Sequence, residues 1–177
     1  MQTIPANVPY LRAERKNIES RPGELKLGLA WAGNPHRQLD QTRSISLSML
    51  APLASIPNVT FYSLQKLAGS EQAASPPPGM RLIDLTPQFH DFADTAALVE
   101  QLDLVITVDT AAAHLAGALG KPVCIMLPFA GGWRWLTDRD DSPWYPTARL
   151  FRQPKPGDWN SVIASVRDAL RHLNLPS

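Results

Sequence analysis

The chain has 177 residues, a formal net charge of +1 and one cysteine, Cys124. That length fits a single domain with a substantial core, and the near-neutral balance lacks the basic footprint of nucleic-acid or anionic-membrane binding. One cysteine excludes a disulfide framework or a cysteine-built zinc site within the chain, and no apolar run reaches transmembrane length or forms a signal-peptide core. The chain therefore reads as cytoplasmic, and no cofactor, no metal, no nucleic acid and no transmembrane segment is expected. Its 17 prolines fall between the apolar segments, which implies long, shaped loops.

Residues 1–24 are polar and punctuated by proline, and only Leu11–Ile18 could form a short helix. They read as a linker or docking segment, with residues 25–177 as one domain. Leu25–Trp31 is the first strand. The polar loop Ala32–Ser44 carries Gly33, Asn34, His36, Arg37 and Arg43. Ser46 is placed to cap a helix over Leu47–Ser55, kept short by Pro52 and Pro57. Val59–Leu64 is a second strand, followed by Gln65 and Lys66, and Ala68–Gly79 reads as a surface loop.

Met80–Leu85 is a third strand, and Asp91 caps a helix over Phe92–Gln101 with Asp94 in its first turn. Leu104–Val108 is an apolar, β-branched run short enough for a strand buried on both faces. Asp109 and Thr110 close it, and Ala111–Leu119 comes next as a helix of small residues stopped by Gly120 and Pro122. Val123–Leu127 is another strand. Pro128–Thr147 is a loop rich in aromatic and charged residues, Arg149–Phe151 a short strand, and Trp159–Leu173 an amphipathic helix capped by Asp158.

This alternation of strands and helices predicts an α/β fold with a Rossmann-like, doubly wound parallel sheet. In that order the first and fourth strands lie side by side, and ligands bind beyond their carboxyl ends. The loop after the first strand and the Asp109-Thr110 turn then form two lips of one cleft. A strand running straight into a helix leaves backbone N–H groups and a positive dipole end at the turn, which suits phosphate.

Other phosphate binders are absent: no G-x-G-x-x-G follows the first strand, and Gly120-Lys121 lacks the rest of a Walker motif. Of the four histidines, His36, His90 and His172 read as surface residues. Arg43, Lys66, the Thr110 helix start and His114 make a mouth suited to a diphosphate bearing a sugar. Residue types alone leave another reading open, in which the alanine helix merely packs on the sheet and Asp109 merely ends a strand. Trp133, Trp135, Trp144 and Tyr145 are open to three readings: a satellite core over the sheet edge, a cover for a sugar face, or a surface for a partner.

The run Val108–Pro122, VDTAAAHLAGALGKP, resembles the D-T-G-x-x-H-x-x-x-A-x-G-x-P signature of heptosyltransferase-like glycosyltransferases. There it lies in the C-terminal, donor-binding half of a GT-B fold. Segments WAGNP, RSI, SLQK, DFADTAAL, PWYP and RLFRQ resemble domains appended to tetratricopeptide-repeat proteins, from Tyr10 to the C-terminus. The resemblance implies that Arg43, Asp109, Thr110 and His114 bind a donor diphosphate. It places Gln65, Lys66 and Leu85 at the donor sugar, ribose or base, with Gly33 and Asn34 of the shared WAGNP segment assigned there too, while the aromatic loop itself offers Trp133, Arg134 and Trp135 as an acceptor or partner surface. Ala111 departs from the family's glycine.

The resemblance therefore implies a nucleotide-sugar-binding domain of a glycosyltransferase, without a catalytic residue of its own. The general base of such enzymes usually comes from the N-terminal half, so hexosyl or heptosyl transfer is expected only in a longer protein. Its partners would be a nucleotide diphosphate sugar and either a missing GT-B half or tetratricopeptide repeats. The alternatives are an interaction domain that retains the fold but has lost donor binding, and a homodimer in which two copies mimic a GT-B pair.

Overall fold

The computed structural model describes residues 7–13, 18, 23–35 and 40–172. Six strands, β1 (Leu25–Ala30), β2 (Val59–Ser63), β3 (Leu82–Asp84), β4 (Leu104–Val108), β5 (Val123–Leu127) and β6 (Ala148–Arg152), form one sheet in the order β3-β2-β1-β4-β5-β6. Every pairing is parallel. The chain reverses its direction of travel across the sheet between β1 and β4, which pair with Gly28 opposite Val105. That pairing puts the switch point where the apolar runs predict it.

The α-helices among the described residues are α1 (Asp40–Arg43), in the loop after β1, α2 (Phe92–Val99) and α3 (Ala111–Ala118) on one face of the sheet, and α4 (Trp159–Arg171) on the other. Alternate residues of each strand enter two separate cores. Leu104, Ile106 and Val108 of β4 join Leu27, Leu29, Cys124 and Met126 in the first, beneath Val162, Val166 and Leu170 of α4. Val105 joins Val123, Ile125 and Leu127 in the second, with α2, α3 and the aromatic side chains Trp135 and Tyr145. A sheet covered on both faces accounts for strands that read as continuous apolar runs.

Local signals set the helix ends. Asp91 accepts hydrogen bonds from the N–H groups of Ala93 and Asp94, and Asp158 accepts one from Ser161. At the end of α3, Lys121 donates to Ala116 and Gly120 to Gly117, a Schellman closure that needs the left-handed φ of +71° at Gly120.

Several elements depart from expectation. Leu47–Ser55 is a 3-10 helix with Pro52 inside it, and Ser46 does not cap it through its side chain; its Oγ pairs with Ser48 Oγ at 2.8 Å. Proline lacks the N–H and crowds the preceding turn, which disfavours regular α-helix there. Ala68–Gly79 is not purely a surface loop: a 3-10 helix spans Ser70–Ala74, and Ala73 and Pro77 are buried. The loop after β1 contains α1. His36, Arg37 and residues 14–17 of the proposed short helix at 11–18 lie outside the described residues.

Where the lead is described, it lies against α3: Tyr10 and Leu11 both donate backbone N–H groups to Ala118 O, at 3.0 and 3.2 Å.

Candidate functional site

The fold turns β4 directly into α3, and Thr110 sits between them in extended conformation. Its Oγ1 accepts from the Ala112 N–H at 3.3 Å and pairs with Thr107 Oγ1 at 2.9 Å, while its carbonyl accepts from Ala113 at 3.1 Å. Ala111 is the first helical residue, exposed, and outside the left-handed region. Nothing in the backbone here calls for glycine's conformational freedom; the alanine adds only a methyl group at the helix mouth.

The facing lip is closed by Arg43, the last residue of α1. Its Nη1 donates to the Asp109 carbonyl at 2.9 Å, across 66 residues of sequence. Gly33 is fixed in the same lip by its N–H bond to Ser44 Oγ at 2.9 Å, and Asn34 is exposed beside it. The two lips therefore meet, and the Asp109 carboxylate lies within reach of the loop after β5. A Cβ on Gly132 would stand 3.7 Å from Asp109 Oδ2.

His114 is one helical turn beyond Thr110. Its Nδ1 lies 3.0 Å from the Tyr145 hydroxyl, and its ring stacks on Trp135 with centroids 5.3 Å apart and planes 17° apart. Burial lowers its pKa from the ordinary 6.5, the Asp109 carboxylate opposes that, and the Arg134 guanidinium adds to it.

The aromatic loop divides in two. Trp135, expected on a surface, is fully buried, and Tyr145 is buried beside it over Gly117, where an added Cβ would collide with Tyr145 Cγ. These two form a satellite core on α3, packed around His114, with Gly117 leaving room for the Tyr145 ring. Trp133 remains 71% exposed, with the Arg134 guanidinium 5.0 Å from its ring centroid. Arg139 and Asp141 pair with each other.

Gln65 also differs from expectation. Its buried Oε1 accepts from the N–H groups of Trp31 and Ala32, both at 2.9 Å. Its Nε2 donates to Ala32 O at 2.9 Å and Ala68 O at 2.8 Å. The amide is spent on backbone, so Gln65 shapes the lip instead of offering a group to the ribose. The side chain of exposed Lys66 donates to Phe89 O at 2.7 Å.

Beyond the carboxyl ends of β2 and β3 is a hollow of about 480 Å³, lined by Lys66, Glu71, Asp84 and Thr86 among others. Asp84 Oδ1 accepts from the Thr86 N–H at 3.0 Å and from its Oγ1 at 2.7 Å. Leu85, half-buried between these two lining residues, packs towards the second core, and its carbonyl accepts from Gln88 at 3.0 Å. Sequence reasoning missed Glu71, Asp84 and Thr86. The signal that could have found them was an acidic residue closing β3, as Asp109 closes the region after β4. Among the described residues no cluster of histidine, cysteine and carboxylate side chains is arranged to hold a metal ion, and no helix is long and apolar enough to cross a membrane.

Residues 57–126 match Glycosyltransferase family 9 (heptosyltransferase). The chain is 31% identical over 178 residues to Protein FlbA of Caulobacter vibrioides, covering 97% of this chain and 28% of FlbA. It is similar in structure to E. coli ADP-heptose lps heptosyltransferase II, with a TM-score of 0.60 and 15% identity over 85% of this chain and 46% of that one. A glycosyl transferase family 9 structure from Veillonella parvula gives a TM-score of 0.62 at 14% identity, again over 85% and 46%. E. coli heptosyltransferase WaaC with ADP gives 0.50 at 14% identity, over 85% and 43%. The chain thus spans less than half of these solved structures and about a quarter of FlbA. The fold is a Rossmann-like sheet matching that portion of the heptosyltransferase GT-B structures.

Proposed function

We propose that this chain is the nucleotide-sugar-binding part of a glycosyltransferase. The observation that carries the reading is the closure of Arg43 onto the Asp109 carbonyl, which brings a fixed cation to the start of α3 at the sheet's switch point. A diphosphate there meets the Arg43 charge, the positive dipole end of α3 and the His114 imidazole. The Asp109 carboxylate accepts hydrogen bonds only, so it suits a sugar hydroxyl better than a phosphate oxygen. Neighbouring strands lie about 4.8 Å apart, which puts the hollow beyond β2 and β3 roughly 10–14 Å from the α3 mouth at the end of β4. A nucleoside can occupy that hollow while its diphosphate reaches Thr110.

The family match and the shared fold both support the assignment. Residues 57–126, the part matching Glycosyltransferase family 9, run from β2 through β5 and include the α3 mouth. The solved heptosyltransferase with bound ADP shares the fold. In this reading the chain binds donor, while transfer needs groups from outside it: a second GT-B half or a tetratricopeptide-repeat assembly.

The test is calorimetric titration of the chain with ADP-, UDP- and GDP-sugars. Saturable binding weakened by Asp109→Ala and His114→Ala is expected; no binding of any of the three overturns the reading. Incubation with donor and acceptor is expected to give no transfer above background. The exposed Trp133 and Phe129 beside the mouth favour a second reading, an interaction domain. That reading requires the same titrations to be flat.

A further inference from the structure

Tyr145 belongs to neither lip of the mouth, yet it touches His114, whose imidazole stands one turn into α3. It enters from the loop between β5 and β6, and its ring lies where Gly117 leaves room on α3. Its hydroxyl is 3.0 Å from His114 Nδ1. One face of the imidazole is covered by Trp135. With Nδ1 engaged and that face covered, Nε2 is the polar atom of His114 left for the mouth.

From this arrangement we infer that Tyr145 is a positioning residue: its hydroxyl donates to His114 Nδ1 and so holds the neutral imidazole with its proton on Nε2. A neutral imidazole carries one donor and one acceptor nitrogen, and the bond made by one decides the role of the other. An imidazole nitrogen is a stronger acceptor than a phenol oxygen, and a phenol is a strong donor, so the shared proton belongs on the tyrosine.

The consequence for ligand binding rests on the donor-binding reading. An Nε2–H group gives an anionic oxygen a hydrogen bond without requiring a charged histidine. The opposite tautomer would turn a lone pair towards the phosphate. The groups facing His114 are Asp109 at the end of β4, Arg134 and Trp135 in the aromatic loop, and Tyr145. Asp109 and Arg134 act on its charge in opposite senses, so neither alone dictates where the proton sits.

The experiment is nitrogen-15 NMR of the histidine side chains in the whole unliganded chain at pH 8, with His114 assigned by comparison with His114→Gln. The expected spectrum shows Nε2 protonated and Nδ1 as an unprotonated acceptor, and Tyr145→Phe moves it towards a mixture of both tautomers. The phenylalanine keeps the ring over Gly117, and unchanged thermal unfolding of that variant separates positioning from packing. An Nδ1–H signal in the wild-type chain overturns the inference, as does a Tyr145→Phe spectrum identical to wild type. Titration with ADP-sugar is read separately, with Tyr145→Phe expected to bind roughly threefold to tenfold more weakly. A wild-type chain that binds no nucleotide sugar refutes the donor-binding reading, while the spectrum alone still decides the tautomer.

Discussion

The Arg43 guanidinium donates to the main-chain carbonyl of Asp109 at 2.9 Å and so joins the loop after β1 to the turn after β4. Because the acceptor is a carbonyl, the contact survives any change of the Asp109 side chain. Arg43→Ala is expected to lower stability by about 1 kcal/mol in urea unfolding and to weaken nucleotide-sugar binding by about tenfold or more, since it removes a charged donor. Arg43→Lys keeps the charge but not the planar fork, and its affinity should fall in between.

Gln65 distinguishes scaffold from ligand contact. In Gln65→Leu the N–H groups of Trp31 and Ala32 lose their shared acceptor inside the protein. A loss of about 2–5 kcal/mol in unfolding free energy is expected from two unsatisfied donors. A ribose ligand would behave otherwise, with stability retained and binding alone reduced. Chemical denaturation beside calorimetry decides between them.

Gly117→Ala opposes two effects of known sign. Helix propensity favours alanine by about 1 kcal/mol, but the new Cβ would overlap Cγ and Cδ1 of Tyr145. Those atoms are at the root of a ring already packed on His114 and Trp135, so the ring cannot simply turn away. Overpacking of this kind costs about 1–3 kcal/mol. A lower melting temperature and an altered near-ultraviolet circular dichroism signal are expected.

His114 contributes a pH dependence of stability near neutrality. Its pKa is lower in the folded chain than the ordinary 6.5, chiefly through burial, so the unfolded chain binds more protons as pH falls through that range. The stabilisation linked to neutral His114 is complete above about pH 6.5 and is lost as pH drops through the folded value. Urea midpoints measured from pH 8 to pH 5 should decline, and His114→Gln should flatten that decline. The Asp158 cap, whose pKa is lowered from 3.8 by its bonds from Ser161, contributes only at more acid pH.

Much of the scaffold was legible because its signals are local. The apolar runs of β4 and β5 mark those strands to the residue, and Asp91, Thr110, Gly120 and Asp158 mark helix ends through bonds spanning a few residues. The pairing of β1 with β4 came from topology rules applied to that order. The 3-10 character of Leu47–Ser55 was harder to read, since Pro52 can be seen in the sequence but its effect depends on how the segment packs beneath α4.

By itself, then, the sequence determined the α/β alternation, the parallel sheet and the position of the α3 mouth, because apolar periodicity and caps act within a few bonds of the chain. Only the tertiary structure decided which polar groups are available at that mouth. Gln65 became a brace, Trp135 a core residue and Tyr145 the partner of His114, through contacts spanning 34, 21 and 31 residues of sequence. Each depends on the packing of side chains that meet only when the sheet is complete. No local pattern in the chain encodes such meetings, since each one joins residues far apart in sequence.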